Sequence, residues 1–388
     1  MVEIKEVEYK KFRSFIKYLI SLAGIWTTEH SNSFVRSLLY IHVSCFIIPV
    51  IGVLNFINTN ITNVTLVTKG LSVLMGMATN MMKAICMIVS RKDINRFRAI
   101  IDSHFNKLME KPQLSSVVLK GVTNFRRATI FLTTLATTIC TFYAIVPMIS
   151  IIKQWKHHMH PIKYKPILPT VYPWNNTSNT FLYHFCFLIE NLTNLSMIVL
   201  TSSVDSLFTY YVFHLIGMSR EILHLVTSLK KNDDTEAAIN QCVSKYALLL
   251  ECRDLLQKVY GFVILWSMNT NAITLCAVIF QLTNAKTLSI TVMVMCAAHA
   301  TLKLSQVFIY GWTGSRLMTE SEKLREAIYA ANWFGNKRLM TSIIIILSQK
   351  SLIIKACKFS TVSIDMFSAV INTTISYYLL LKTFESDS

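Results

Sequence analysis

Seven stretches of this chain are apolar for about twenty residues at a time, the length an α-helix needs to cross the hydrocarbon core of a bilayer. They fall at roughly 37–57, 70–90, 128–151, 181–214, 259–283, 288–312 and 361–381. Lipid offers backbone N–H and C=O groups no partners, so each stretch must satisfy its own as a helix. An all-α membrane protein with seven transmembrane helices follows. Composition agrees: 53% of the residues are hydrophobic and only 15% charged, where a soluble domain carries about 25% charged residues. The fourth stretch is too long for one crossing and should continue as a helix into water. The first apolar run begins only after about 35 residues, beyond a cleavable n-region, so the first span is expected to serve as an internal targeting signal.

Lysine and arginine orient the bundle. The segments 1–36, 91–127, 215–258 and 313–360 hold 29 of the 38, the alternate segments hold 7, and Lys83 and Lys303 lie within spans. The positive-inside rule places the N-terminus in the cytoplasm and, after seven crossings, the C-terminus outside. The sequons at Asn60, Asn63, Asn175 and Asn176 then all fall in outer loops, where glycosylation occurs. The sequon-like Asn191, Asn194 and Asn372 sit inside spans. The formal charge of +17 is read as a topology signal and an attraction to anionic membrane lipid, not as a nucleic-acid footprint.

Nothing calls for a cofactor or metal. The nine cysteines show no Cys-x-x-Cys or Cys/His spacing, none sits in the outer loops 58–69 or 152–180, and they read as small apolar packing residues. His157, His158 and His160 cluster in a Pro- and Lys-rich outer loop, expected to be solvated and flexible. A catalytic reading fails for want of convergent His, Asp or Cys residues within the membrane.

The last apolar stretch, read as a helix from about Thr361 to Leu381, has one distinctive edge. Helical steps of three or four place Thr373, Ser376, Leu380 and Thr383 on one stripe. A polar stripe on a spanning helix must face protein or water. If several copies surround an axis, the stripe is a wet wall and Leu380 an apolar constriction. The cytoplasmic segments are more than linkers. In 315–329, Leu317, Leu324 and Ile328 recur at helical spacing among charges. Ile343, Ile345, Ile346 and Leu347 belong to an intensely apolar run cut off by Gln349-Lys350, too short to span. Such a run seeks burial against other helices, most economically the same segment of other subunits.

The C-terminal third holds Tyr310-Gly-Trp312, then Ala327-Ile-Tyr329 with Trp333, then Arg338-Leu-Met leading to Gln349-Lys350, and it closes with Phe367 and Ser376-Tyr377-Tyr378-x-Leu380-Leu381. On these residues it resembles the insect odorant receptors. Weaker family positions are Asp205-Ser-Leu-Phe208 with His214, and Asn271 to Cys276. Departures occur at Ser351, Tyr378 and Lys245, where the family more often has proline, phenylalanine and histidine. The segment 215–258 is too short for the insertion of the shared co-receptor, so the chain looks like a divergent, ligand-tuned subunit.

The resemblance implies a tetrameric, odorant-gated, non-selective cation channel in the plasma membrane of a sensory neuron dendrite, built with co-receptor subunits as a heterotetramer. Its partners would be a small volatile odorant or pheromone, the co-receptor and membrane lipid, with no nucleic acid and no enzymatic activity. Leu380 would stand at the gate, with Thr383, Ser376 and Thr373 along the pore. Trp333, Ile343, Ile345, Ile346 and Leu347 would form the oligomer anchor. Residues 1–36 would be a cytoplasmic segment and 37–312 a six-helix bundle with a ligand pocket in its outer half. Residues 313–360 would be anchor helices, and 361–388 the pore helix with a short outer tail. The pocket should lie between spans two, three, four and six, near Met75, Phe142, Tyr143, Met148, Phe187, Asn191, Asn194, Met197, Val292 and Met295. Of the charged residues in spans, Asp205 and Lys83 read as internal partners or cytoplasm-side anchors, Glu190 as a polar ligand contact beside Asn191 and Asn194 or else a solvated group at the outer interface, and Asp365 as a candidate for cation preference or else an interfacial residue facing water. Alternatives are a gustatory-receptor-type channel and a G-protein-coupled receptor. The latter needs the opposite orientation and the Asp-Arg-Tyr and Asn-Pro-x-x-Tyr motifs that are missing here.

Overall fold

The computed structural model describes residues 2–26, 32–158, 166–174, 180–228, 235–283, 290–330, 337–349, 352–357 and 359–386. Among them are α1 (Val2–Leu22), α2 (Ser33–Thr59), α3 (Val64–Val89), α4 (Arg91–Met109), α5 (Pro112–Val118) and α6 (Val122–Lys156). There follow α7 (Thr180–Ser228), α8 (Thr235–Thr283), α9 (Ile290–Ala330), α10 (Lys337–Ser348) and α11 (Ile364–Ser386), with a two-residue hairpin, β1 (Lys355–Ala356) and β2 (Ser360–Thr361), before the last helix. Seven of these helices (α2, α3, α6, α7, α8, α9 and α11) are long and apolar enough to cross a membrane.

α7 is the axis of the subunit. It has 49 residues, about 73 Å of helix at 1.5 Å per residue, more than twice the thickness of a hydrocarbon core. From Ser202 to Ser219 every residue is buried, the mark of a helix enclosed on all sides. α1, α2, α3, α5, α6, α8 and α9 all pack on it. As expected, the fourth span continues well past a bilayer's width, and so do α8 and α9.

Two helical regions were not anticipated. α1 lies in the segment read only as a cytoplasmic N-terminus, yet Tyr9, Phe12, Ile16, Leu19 and Ile20 are buried at steps of three and four. Phe12 meets Tyr210 and Phe213 of α7 edge-on, with ring centroids 5.5 and 6.1 Å apart. Arg13 pairs with Asp102 of α4 at 2.6 Å. α4 buries Ile94, Phe97, Ile101, Phe105 and Leu108 in the same rhythm. In both helices charged residues on the outer face dilute the hydropathy, which hides an amphipathic stripe from a scan tuned to whole apolar spans.

The seventh span begins at Ile364, not Thr361. Lys355 and Ala356 pair antiparallel with Thr361 and Ser360, so the chain makes a strap before entering the helix. Leu352, Ile354, Ala356 and Val362 are buried, and the strap packs against α8. On the other side it lies directly on α9. A Cβ on Gly314 would stand 2.0 Å from the Val362 carbonyl oxygen, and one on Gly311 would stand 2.7 Å from that of Ser363. Only residues without a side chain permit this approach. Polar ties complete the seat: Ser315 Oγ accepts from the Ile364 N–H at 2.9 Å, and Ser321 Oγ from the Leu352 N–H at 3.1 Å.

The segment 152–180, expected to be a solvated outer loop, is folded inward over residues 166–174. Ile167, Leu168, Thr170 and Tyr172 are buried. The cause is Glu190 of α7, itself 1% exposed rather than solvated. The Thr170 and Tyr172 hydroxyls donate to its Oε1 at 2.7 and 2.9 Å. The Ile167 and Leu168 N–H groups donate to its Oε2 at 2.7 and 3.4 Å. α2 holds the far side, where the Val171 N–H donates to the Gly52 carbonyl at 2.9 Å and Asn55 Nδ2 to the Val171 carbonyl at 3.0 Å. Glu190→Ala strands four donors at once, each worth roughly 1–3 kcal/mol when left unsatisfied. Hydrogen–deuterium exchange across 166–174 should rise by at least tenfold, and unchanged protection would refute this role.

Candidate functional site

Beneath that inward-folded segment is a cavity of about 60 Å³, several times the space one water needs. Four helices wall it, each presenting residues at steps of three or four. α3 gives Ser72, Val73, Gly76 and Asn80; α6 gives Ala136, Ile139, Cys140 and Tyr143. α7 gives Asn194, Met197, Ile198 and Thr201; α9 gives His299, Leu302, Lys303 and Gln306; Leu168 of the 166–174 segment closes one side. Gly76 keeps the wall open opposite Met197, whose Cε would lie 3.2 Å from an added Cβ. The lining is mainly apolar; Asn80, Thr201, Lys303 and Gln306 form a polar end, while Ser72 and Asn194 lie about two helical turns away. Thr201 donates to Asn80 Oδ1 at 2.9 Å, and Asn194 Nδ2 donates to the Cys140 carbonyl at 2.7 Å, pinning α7 to α3 and α6.

Under the polar end sits a buried ionic cluster. Lys83 Nζ and Asp205 Oδ1 are 2.5 Å apart, each side chain 3% exposed. Gln306 Nε2 donates to Asp205 Oδ2 at 2.9 Å and the Tyr310 hydroxyl to Oδ1 at 2.7 Å. The carboxylate thus gathers α3, α7 and α9 at one point. Lys83 and Asp205 are internal partners, one of the two readings the sequence left open.

α9 joins the cavity to the last helix. Leu302, Lys303 and Gln306 line the cavity, Tyr310 binds Asp205, and Gly311 and Gly314 seat the strap that leads into α11. α11 buries Met366, Val370 and Thr374 against its own subunit. Thr373, Ser376, Leu380 and Thr383 are exposed on the rest of its surface. Their hydroxyls are satisfied locally: Thr373 donates to the Ala369 carbonyl at 2.9 Å, Ser376 to Asn372 at 3.0 Å and Thr383 to Leu380 at 2.7 Å. The hydroxyl stripe alone therefore does not demand water, which corrects the sequence argument. Asn372 makes the stronger demand, because its exposed amide has no hydrogen-bond partner among the described residues.

The family profile described as 7tm Odorant receptor matches residues 63–375. This chain belongs to the odorant receptor family. Odorant receptor 13a of Drosophila melanogaster is 21% identical over 94% of this chain and 93% of its own length. The odorant receptor coreceptor of Aedes aegypti is 28% identical, but over only 37% of this chain and 31% of that protein. The fold is similar to that of the insect olfactory receptor OR5 from Machilis hrabei, with a TM-score of 0.75 at 13% identity, covering 97% of this chain and 98% of that one. The same receptor in complex with eugenol gives 0.73. The chain is thus an odorant receptor and a multi-pass membrane protein, not an enzyme. It is distinct from the co-receptor.

Of the ten residues the sequence suggested for a ligand pocket, Tyr143, Asn194 and Met197 line the cavity. Phe187 stacks on Tyr183 with centroids 5.8 Å apart, and Asn191 Nδ2 donates to the Phe187 carbonyl within its own helix at 2.8 Å. Phe142 and Met148 are about half exposed on the outer surface of α6. Met75, Val292 and Met295 are half-buried and do not line it. The cavity lies between spans two, three, four and six, but nearer the middle of the bundle than the residues named from sequence. Sequence reasoning passed over Lys303, Gln306 and Asn80, although a polar residue in a span was the available signal. In the apolar run of α10, Ile343 is buried within the subunit while Ile344 and Ile345 are more than half exposed, and Leu347 is half-buried. Trp333 and the Ile346 side chain lie outside the described residues, as do Asn175 and Asn176. Asn60 and Asn63 flank the turn between α2 and α3, where Asn63 Oδ1 caps α3 by accepting from the Leu66 N–H at 3.2 Å.

Proposed function

We propose that this receptor is one subunit of an odorant-gated, non-selective cation channel. A small volatile ligand occupies the cavity between α3, α6, α7 and α9, and the pore is lined by α11. One observation carries the reading: the cavity floor and the seat of the α11 strap are successive turns of the same helix, α9. A ligand that shifts α9 therefore acts directly on the last helix. The exposed edge of α11 supports the second half, since a spanning helix that leaves Asn372 unpartnered among the described residues favours a watery axis shared by several copies.

In this reading the chain assembles with co-receptor subunits as a heterotetramer, the kind of partner suggested by its likeness to co-receptor sequences. Ile344 and Ile345, exposed in the lone subunit, pack between subunits together with the half-buried Leu347, while Ile343 stays buried in its own subunit. The N-terminus is cytoplasmic and the C-terminus outside, glycans sit on outer-loop asparagines such as Asn63, and the protein resides in the plasma membrane of sensory dendrites. The eugenol complex of the Machilis receptor supports a small-molecule ligand.

The test is current recorded from cells expressing this chain with and without a co-receptor, against a broad volatile panel, while G-protein signalling is blocked. Ligand-evoked cation current that survives the block supports the channel; its disappearance overturns it. Within that assay Leu380→Ala should raise resting conductance several-fold, because the leucine ring is the apolar constriction that dewets the closed pore. Identical leak and dose–response in assembled channels would remove Leu380 from the gate.

A further inference from the structure

Two groups at the polar end of the cavity have no hydrogen-bond or ion-pair partner among the described residues. Lys303 is 6% exposed and Gln306 3% exposed, and both line the cavity, one helical turn apart on α9. Asp205 fixes the Gln306 amide, because a carboxylate accepts only from Nε2. Gln306 Oε1 is left buried with no hydrogen bond. Lys303 makes no ion pair or hydrogen bond among the described residues; the nearby Asp205 carboxylate is taken directly by Lys83, Gln306 and Tyr310. The cluster therefore contains two ammonium groups and one carboxylate. From Ile290 to Lys303 is about 20 Å along α9, so the surplus positive charge lies deep in a span, where unpaired charge is costly and marks a function by default.

We infer that the ligand this cavity selects is a small carboxylic acid, bound as its carboxylate by Lys303 with its hydrocarbon tail among Val73, Ile139, Tyr143, Met197 and Leu302. The inference rests on the cavity being the ligand site. The charge count carries the argument. An anion is the one addition that neutralises the cluster, and a carboxylate on an ammonium makes the short, charge-assisted hydrogen bond that a neutral alcohol or aldehyde lacks. The apolar walls exclude strongly hydrated inorganic anions, which bring no tail to bury. The small volume favours short chains. Gln306 Oε1 accepts from a water that accompanies the carboxylate or from a ligand hydroxyl, which satisfies the second orphan.

The experiment uses the full-length receptor and two readouts. Purified protein is titrated at neutral pH with straight-chain acids from butanoic to octanoic and with the matching alcohols and aldehydes, following thermal stabilisation. Cells expressing the receptor with a co-receptor are exposed to the same series. One acid should bind at least about tenfold more tightly than its alcohol, about 1.4 kcal/mol of preference. That preference should vanish in Lys303→Met and persist in Lys303→Arg, with the arginine variant showing that the position tolerates substitution by a cation. Equal affinity for acid and alcohol, acid binding that survives Lys303→Met, or no binding of any acid to the wild type overturns the inference. The two readings fail separately. Lys303-dependent acid binding without current in any combination supports the acid site and counts against the channel. Current evoked by neutral volatiles while acids are inert keeps the channel and removes the acid site.

Discussion

Gly314→Ala should abolish delivery of folded receptor to the cell surface, while Gly76→Ala should be nearly silent. Both residues are helical glycines facing another element, so helix propensity favours alanine at each by up to about 1 kcal/mol. What differs is the atom in the way. At Gly314 the new methyl would stand 2.0 Å from the Val362 carbonyl oxygen and 2.8 Å from its carbon. That is backbone, buried at the strap between α8 and α9, and it cannot rotate aside. Restoring contact distance means prising the strap from α9, which also stretches the Ser315 and Ser321 hydrogen bonds that hold it. The cost should reach the top of the overpacking range, about 3 kcal/mol or more. At Gly76 the nearest atom is the Met197 Cε at 3.2 Å, the tip of a flexible side chain that moves by changing one torsion. Surface labelling and size-exclusion yield of the two variants side by side decide the matter. Normal yield of Gly314→Ala would mean that the strap does not rest on α9 as described.

The contrast also shows what the sequence could reveal. Spans are legible because lipid imposes a length and a composition on each of them, and the seven apolar runs correspond to the seven long apolar helices. The continuation of the fourth span into a longer rod was legible from its length alone. α1 and α4 were hidden because their buried stripes alternate with charge. The strap was hidden because two-residue strands have no periodicity, and Gly311 and Gly314 declare a close approach without naming the neighbour. At the cavity, the four contributing helices could be named from the family resemblance, but depth along them could not. Phe142 and Met148 face outward, while Ile139 and Cys140 on the same helix line the cavity. A rotation of one residue changes the face a helix presents, and only packing fixes that rotation. Glu190 shows the same limit from the other side. A lone carboxylate near a span end reads as solvated until the four donors of residues 167–172 are placed around it.

Asp205 and Lys83 form one ion pair, yet the two should not be equally sensitive to mutation. Removing one partner of a buried pair costs about 3–5 kcal/mol when the other is left uncompensated, so the question is what each variant leaves behind. Lys83→Met leaves a carboxylate that still accepts from Tyr310 and Gln306 and that feels the charge of Lys303. Asp205→Asn leaves two buried ammonium groups, Lys83 and Lys303, with no carboxylate between them, and weakens the acceptor that Tyr310 and Gln306 require. Asp205→Asn should therefore fall at or above the upper end of that range, and Lys83→Met at or below its lower end. A double-variant cycle sharpens the prediction. Adding Lys83→Met to Asp205→Asn removes one stranded cation, so the double variant should be more stable than Asp205→Asn alone, a coupling of roughly 1–3 kcal/mol on the scale seen for contacting charges. Thermal unfolding of the three variants and the wild type in one detergent measures it. Strictly additive losses in the double would mean that Lys83 and Asp205 are not the coupled pair described, whereas equal losses for the two single variants would mean that Lys303 does not share the field of Asp205, and the surplus positive charge at the cavity floor would disappear with it.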